Sequence, residues 1–191
     1  MGFCHTYPGG TELEISMLFV DVRGSTKLAE GLSAAEFSRV INRFYKEATS
    51  ALIKTSAYID KFAGDEVIGL YFPLFAGKNH AGAAIHAAEE MLRVAKPSAE
   101  NSQALPIGVG IHTGVAFVGT VSGAEGSVQD VTALGDNVNI TARLASQAGA
   151  GEALVSEAAY IAAGLNLGDL EQRQLELKGK SEPVSVRVLR A

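Results

Sequence analysis

One cysteine, Cys4, is all that 191 residues contain, which excludes an internal disulfide framework and fits a reducing compartment. Long apolar runs are missing too. No stretch approaches the roughly 18 residues of a membrane span, and no charged-then-apolar leader opens the chain, so a cytoplasmic location is expected. The opening Met-Gly-Phe-Cys-His-Thr fits the myristoylation pattern at Gly2 and Thr6, a motif too short to carry weight alone. Basic charge is scattered, with 16 Lys and Arg against 21 Asp and Glu and a net charge of −5, which argues against a nucleic-acid surface. His5, His80 and His86 have no partners at metal-ligand spacing. Internal repeats and domain linkers are absent as well. A hydrophobic fraction of 47% beside 19% charged residues suits one globular domain with a substantial core, with residues 1–12 read as a flexible tail.

What is present centres on residues 56–72, SAYIDKFAGDEVIGLYF. The aromatic and β-branched content predicts two short strands joined at Ala63-Gly64. In a two-residue turn there, Phe62 faces Asp65 and Lys61 faces Glu66, so Lys61 and Asp65 point to opposite faces of the hairpin. Asp65 then sits at the tip, where burying a carboxylate beside apolar surface costs several kcal/mol unless a cation or donors compensate it, by order of magnitude. Asp21 ends the apolar run 15–20 in a similar way. Two converging carboxylates raise one another's pKa unless a divalent cation neutralises them, and Mg²⁺ commonly takes one or two carboxylates plus substrate phosphates. The plainer alternative is that both aspartates are turn caps or partners of Lys and Arg. Val22-Arg23-Gly24-Ser25-Thr26 weighs against it: a strand end followed by Gly24, Ser25, Thr26 and a helix start offers backbone N–H groups to an anion, a plausible triphosphate cradle.

The remaining elements follow from periodicity. Residues 14–22 read as a central strand. Ser33 and Glu36 form a capping box that opens a helix with Phe37, Val40, Ile41, Phe44, Tyr45, Ala48 and Leu52 on one face. A second amphipathic helix covers 79–94, followed by a polar loop over 96–106. A long strand over 105–122 carries Gly108, Gly110, Gly114 and Gly119, which predict bends or close backbone approach. Residues 123–126 read as the turn of a hairpin returning through 127–133. A helix follows over 136–147, then a short strand and helix near 152–163 and two strands flanking Lys178-Gly179-Lys180. This order lacks regular βαβ alternation and predicts an α+β sandwich with a mostly antiparallel sheet flanked by helices. Asn139 and Arg143, four apart, share one helix face. They pair a neutral amide for orienting a ligand with a guanidinium for phosphoryl charge; taken alone, an exposed polar face explains them as well. His112 reads as a satisfied strand histidine rather than a ligand.

FVDVRGST, KFAGDEV, GIHTG, TALGDNVNITAR and LKGK, in this order, resemble the catalytic domain of the class III adenylate/guanylate cyclases across residues 14–189. The resemblance implies a ferredoxin-like α+β domain working as a head-to-tail homodimer with sites at the interface. It implies two divalent ions, Mg²⁺ or Mn²⁺, held by Asp21, the Val22 carbonyl and Asp65. Lys61 and Thr132 match purine-reading positions, Asn139 and Arg143 match the pair that stabilises the transition state, and Lys178 matches a phosphate contact. An upstream sensor domain is a further partner compatible with the family. Lys61 is donor-only and suits adenine N1, while the Thr132 hydroxyl can accept from the 6-amino group; guanine reverses that pattern. The implied function is adenylate cyclase, making cyclic AMP and pyrophosphate from ATP, with guanylate cyclase or a catalytically silent cyclase-like domain as alternatives. Two departures stand out. Thr132 occupies a position where many members carry Asp, and Val115 one where some carry a phosphate-binding Arg. Diguanylate cyclases share a hairpin like Ala63-Gly64-Asp65-Glu66 but have no counterpart of TALGDNVNITAR.

Overall fold

Residues 15–20 are apolar or small at every position but are not a membrane element; they form the middle of a strand covered on both faces, which is why no alternation shows. This strand, β2 (Gly10–Val22), pairs antiparallel along its whole length with the longer β5 (Ile107–Ser122). The computed structural model describes residues 6–7, 9–96, 105–122 and 129–190. Gly2, Cys4, most of the 96–106 loop and the turn at 123–126 lie outside them.

Around the central pair, the chain adds β1 (Thr6–Tyr7), β3 (Tyr58–Ala63), β4 (Glu66–Tyr71), β6 (Gln129–Leu134), β7 (Glu152–Ser156), β8 (Glu171–Leu175) and β9 (Val184–Leu189). The sheet runs β3-β4-β2-β5-β7-β9-β8, with β1 beside β2 and β6 beside β5. Only β5 and β7 pair in parallel among the described strands; the others are antiparallel. Helices α2 (Ala34–Lys54), α4 (His80–Val94) and α6 (Glu157–Ala163) cover one face, burying Leu18, Val20 and Val22 with Phe44, Leu52, Ile85 and Leu92. On the other face α5 (Asp136–Gln147) packs Ala145, Val138 and Ala142 over Met17, Phe19 and Ile68. Two short helices, α1 (Ser25–Gly31) and α3 (Pro73–Ala76), follow β2 and β4. The architecture is the α+β sandwich with a mostly antiparallel sheet that the pattern of elements implies.

Local chemistry sets the boundaries. At α2 the capping box is complete: Ser33 Oγ accepts from the Glu36 amide at 3.3 Å, and Glu36 Oε2 accepts from the Ser33 amide at 3.0 Å. Asn79 caps α4 by accepting from the Gly82 amide at 3.0 Å. The glycines of β5 mark close approach, as expected. A Cβ on Gly110 would lie 2.3 Å from the Ala145 nitrogen, so α5 can cross β5 only where that side chain is missing.

Two expectations need correction. Strand β2 begins at Gly10, within the segment read as a tail, because Gly10–Leu13 continue the ladder opposite Ala116–Gly119. The β3–β4 turn is Gly64-Asp65, not Ala63-Gly64: Ala63 pairs with Glu66, Phe62 with Val67 and Lys61 with Ile68. Gly64 takes φ +66°, so the glycine sits inside the turn and draws Asp65 in with it.

Candidate active site

Strand ends assemble the carboxylates. Asp21 pairs with Glu66 across β2 and β4, and the Val22 amide donates to the Asp65 carbonyl at 3.1 Å, bringing Asp21, Val22 and Asp65 to one point. Tyr45 on α2 holds the turn: its hydroxyl donates to the Gly64 carbonyl and its ring packs, tilted, against Phe62 with centroids 4.7 Å apart. Ser25, the first residue of α1, donates its hydroxyl to Asp65 Oδ2. Gly24 before it is left-handed at φ +74°, and Thr26 is exposed on the first turn of α1, so the chain runs strand–turn–helix as expected, with its serine turned toward the carboxylate.

Crowding of acids shows in their ionisation. Burial first, then Asp21 and Asp65, push the Glu66 carboxyl up to about 7. Burial also raises Asp21, with Asp65 adding to the rise and Arg23 opposing it. Arg23 makes an ion pair with Asp21 and donates to the carbonyls of Ser146 at 3.0 Å and Ala148 at 3.4 Å, at the end of α5. Among the described residues no three His, Cys, Asp or Glu side chains form a ready-made cage. Two hard carboxylates at one point, Asp65 raising Asp21, beside a backbone carbonyl, fit Mg²⁺ or Mn²⁺ completed by substrate oxygens.

A second group lies on the α5 face of the sheet. Lys61, Thr132 and Asn139, from β3, β6 and α5, line a cleft of ≈ 350 Å³ floored by Phe19, Ile68 and Leu70. Neither Asp21 nor Asp65 lines it. Thr132 is buried, Lys61 is part-exposed and Asn139 is exposed at the rim. Asp60 joins them: its Oδ2 accepts from Thr132 Oγ1 at 3.2 Å and lies 3.5 Å from Lys61 Nζ.

One turn further along α5, Arg143 lies against the backbone of Gly179, where a Cβ would meet its guanidinium at 3.6 Å. Among the described residues its Nη1 is buried without a hydrogen bond, a donor left for an anion. Lys180 ion-pairs with Asp136 and fastens the 178–180 loop to the start of α5, while Lys178 stays exposed beside Gly179. His112 anchors the same helix. Asn137 Nδ2 donates to the Val115 carbonyl at 2.7 Å, so its Oδ1 must accept from His112 Nε2 at 2.9 Å. His112 Nδ1 then accepts from Ser156 Oγ at 2.8 Å, and burial lowers the imidazole pKa, keeping it neutral. This is the satisfied strand histidine expected of GIHTG.

The residues singled out in the sequence thus fall into two groups: Asp21, Val22 and Asp65 with Gly24, Ser25 and Thr26 at the strand ends, and Lys61, Thr132 and Asn139 in the cleft, with Arg143 one turn further along α5 and Lys178 exposed on the loop before Gly179. Asp60 and Tyr45, outside the quoted motifs, and Arg23, inside FVDVRGST but given no role there, contact these groups as well.

A family model described as the adenylate and guanylate cyclase catalytic domain matches residues 10–188. An adenylate cyclase of Anabaena cylindrica is 29% identical, covering 93% of this chain and 37% of that protein. Adenylate cyclase 1 of Rhizobium meliloti is 34% identical, over 69% of this chain and 20% of that protein. The chain therefore spans a minor part of these relatives. Among solved structures, the adenylyl cyclase CyaB from P. aeruginosa matches with a TM-score of 0.85 and 30% identity, covering 95% of this chain and 96% of that one. The guanylyl cyclase Cya2 matches with a TM-score of 0.83 and 28% identity, over 94% and 93% of the two chains.

Proposed function

The chain belongs to the adenylate and guanylate cyclase catalytic domain family, and from that premise we propose that it is an adenylate cyclase. It converts ATP to 3′,5′-cyclic AMP and pyrophosphate at sites completed by a second copy of itself. The observation that carries the choice of ATP is the cleft in which Lys61 and Thr132 meet. An ammonium donor faces adenine N1, and a hydroxyl oxygen accepts from the 6-amino group. Guanine would set its N1–H against the ammonium, leaving donors unpaired.

Each chain supplies two half-sites. Asp21, Asp65 and the Val22 carbonyl of one copy would hold two divalent ions, Mg²⁺ or Mn²⁺, which would lower the pKa of the ribose 3′-hydroxyl and neutralise the triphosphate. Gly24, Ser25 and Thr26 shape the turn beside the phosphates. The other copy contributes Lys61 and Thr132 to the purine, Asn139 to the ribose and Lys178 to the phosphates. As the 3′-oxygen attacks the α-phosphorus in line, Arg143 donates to the phosphoryl oxygens where negative charge builds. The separation of the two groups within one chain supports a head-to-tail homodimer. So does exposed apolar surface that a second copy could cover: Phe62, Val115, Val131 and Leu134 are 44–50% exposed.

Product formation from ATP and from GTP, each with Mg²⁺ or Mn²⁺ and over a range of protein concentrations, tests the reading. Cyclic AMP from ATP, with specific activity rising as chains pair, is the expected result. Preferential cyclic GMP would overturn the purine assignment, and a folded dimer with no product would make the chain a silent relative.

A further inference from the structure

Asp60 is the extra residue of a β-bulge. Between Ile59 and Lys61 the pairing of β3 with β4 shifts by one, so Ile59 faces Gly69, Lys61 faces Ile68 and the register passes over Asp60. Its side chain is only 4% exposed, and it reaches Thr132 on β6 at 3.2 Å and the Lys61 ammonium at 3.5 Å through one oxygen, Oδ2.

A threonine hydroxyl by itself is an indifferent reader. It can rotate to donate to a purine 6-oxygen or to accept from a 6-amino group. A carboxylate only accepts, so the contact with Asp60 consumes the Thr132 hydrogen and leaves lone pairs facing the cleft. We propose that Asp60 is a specificity-determining positioning residue: by taking the Thr132 hydroxyl proton and drawing in the Lys61 ammonium, it makes the cleft donor at N1 and acceptor at position 6, the complement of adenine. This rests on the reading of Lys61 and Thr132 as the purine-reading pair. Asp60 touches no substrate; it acts through the two side chains that do.

The test uses three nucleotides that differ only in what the purine edge presents: ATP, GTP and the triphosphate of 6-methoxypurine riboside. The methoxypurine keeps an acceptor at N1 and offers an acceptor at position 6, so it suits Lys61 and conflicts only with a Thr132 whose hydrogen is committed elsewhere. The wild-type chain is expected to prefer ATP over it by roughly 30-fold or more in kcat/KM, the scale of an acceptor forced against an acceptor. Asp60→Leu fills a similar volume without an acceptor, frees the Thr132 hydrogen and should bring the ratio to within about fivefold, while GTP gains little because Lys61 still opposes its N1–H. Asp60→Asn can place its amide oxygen where Oδ2 sits and should retain the preference. Thermal melts identify folded variants, and Asp60→Ser replaces the leucine variant if that one does not fold.

An unchanged ratio in folded Asp60→Leu would overturn the proposal. So would GTP and the methoxypurine improving together, which would mean a loosened pocket, or Asp60→Asn losing selectivity as far as Asp60→Leu. These failures leave the cyclase reading standing. A wild-type chain that makes no cyclic AMP, or prefers GTP, overturns that reading instead and removes the Asp60 role with it.

Discussion

Arg143→Ala removes a guanidinium whose Nη1 makes no hydrogen bond among the described residues, so under the proposed role the loss falls on the reaction rather than on the fold. The expected change is a fall in kcat of roughly 10²–10³ with KM for ATP little altered and the melting temperature nearly preserved, because the donor acts on charge that develops in the transition state. A rise in KM at constant kcat would assign Arg143 to ground-state binding. At this scale the charged residues were the legible ones. Asp21 and Asp65 stand out against apolar strands, and Asn139 and Arg143 share a helix face by spacing alone. Asp60 was not legible, since in a regular strand it would point away from Lys61, and only the bulge turns it toward the same cleft. Arg23 was hidden for a different reason. Its partners are the carbonyls of Ser146 and Ala148, which only the folded position of α5 brings near.

Placement of α5 on β5 decides where Asn139 and Arg143 stand. A methyl at Gly110 would meet the Ala145 nitrogen at 2.3 Å and the Thr141 carbonyl at 2.6 Å, all backbone that cannot swing aside. Gly110→Ala should therefore cost about 1–3 kcal/mol, seen as a lower melting temperature, and depress activity by shifting the helix. Gly31→Ala is the control, with nothing within 4 Å of the added carbon, and should be neutral or slightly stabilising. A Gly110→Ala chain as stable and active as wild type would mean that α5 is not seated on β5 in this way. The helices were readable from caps and period: α5 matches its expected span, and the capping box of α2 is intact. The hairpin register was not. Glycine punctuation placed the turn within a residue, but the one-residue difference changes every cross-strand partner, and it was settled by the Val22 and Tyr45 contacts to residues 64 and 65.

Across the whole molecule, an ion network ties the far end of the sheet, and it sets a pH dependence. Glu152 on β7 accepts from Arg173 at 2.9 and 3.0 Å and from the Arg190 Nε at 3.1 Å, and Arg173 first, then Arg190, lower its pKa to about 2. A carboxyl that binds its proton less readily folded than unfolded adds stability above its unfolded pKa, and loses it as pH falls through the folded value. Glu152→Gln should thus be less stable than wild type near neutrality by about 1 kcal/mol after solvent screening, with the gap closing below about pH 4. A gap that is constant in denaturation curves from neutral to acid would contradict the pairing. The α+β class and the flanking helices were legible at this scale from the order of elements. The strand order was not, because which edges meet depends on contacts between distant strands such as β5 and β7.

Division of labour between two copies is the central claim, and mixing two inactive chains tests it most directly. Asp65→Ala lacks the carboxylate half-site, and Arg143→Ala lacks the phosphoryl donor. Random pairing of equal amounts makes half the dimers mixed, each with one intact site of two, so about a quarter of wild-type specific activity should return in cyclic AMP formation. No recovery from a mixture shown to form mixed dimers would mean that each site is built within a single chain.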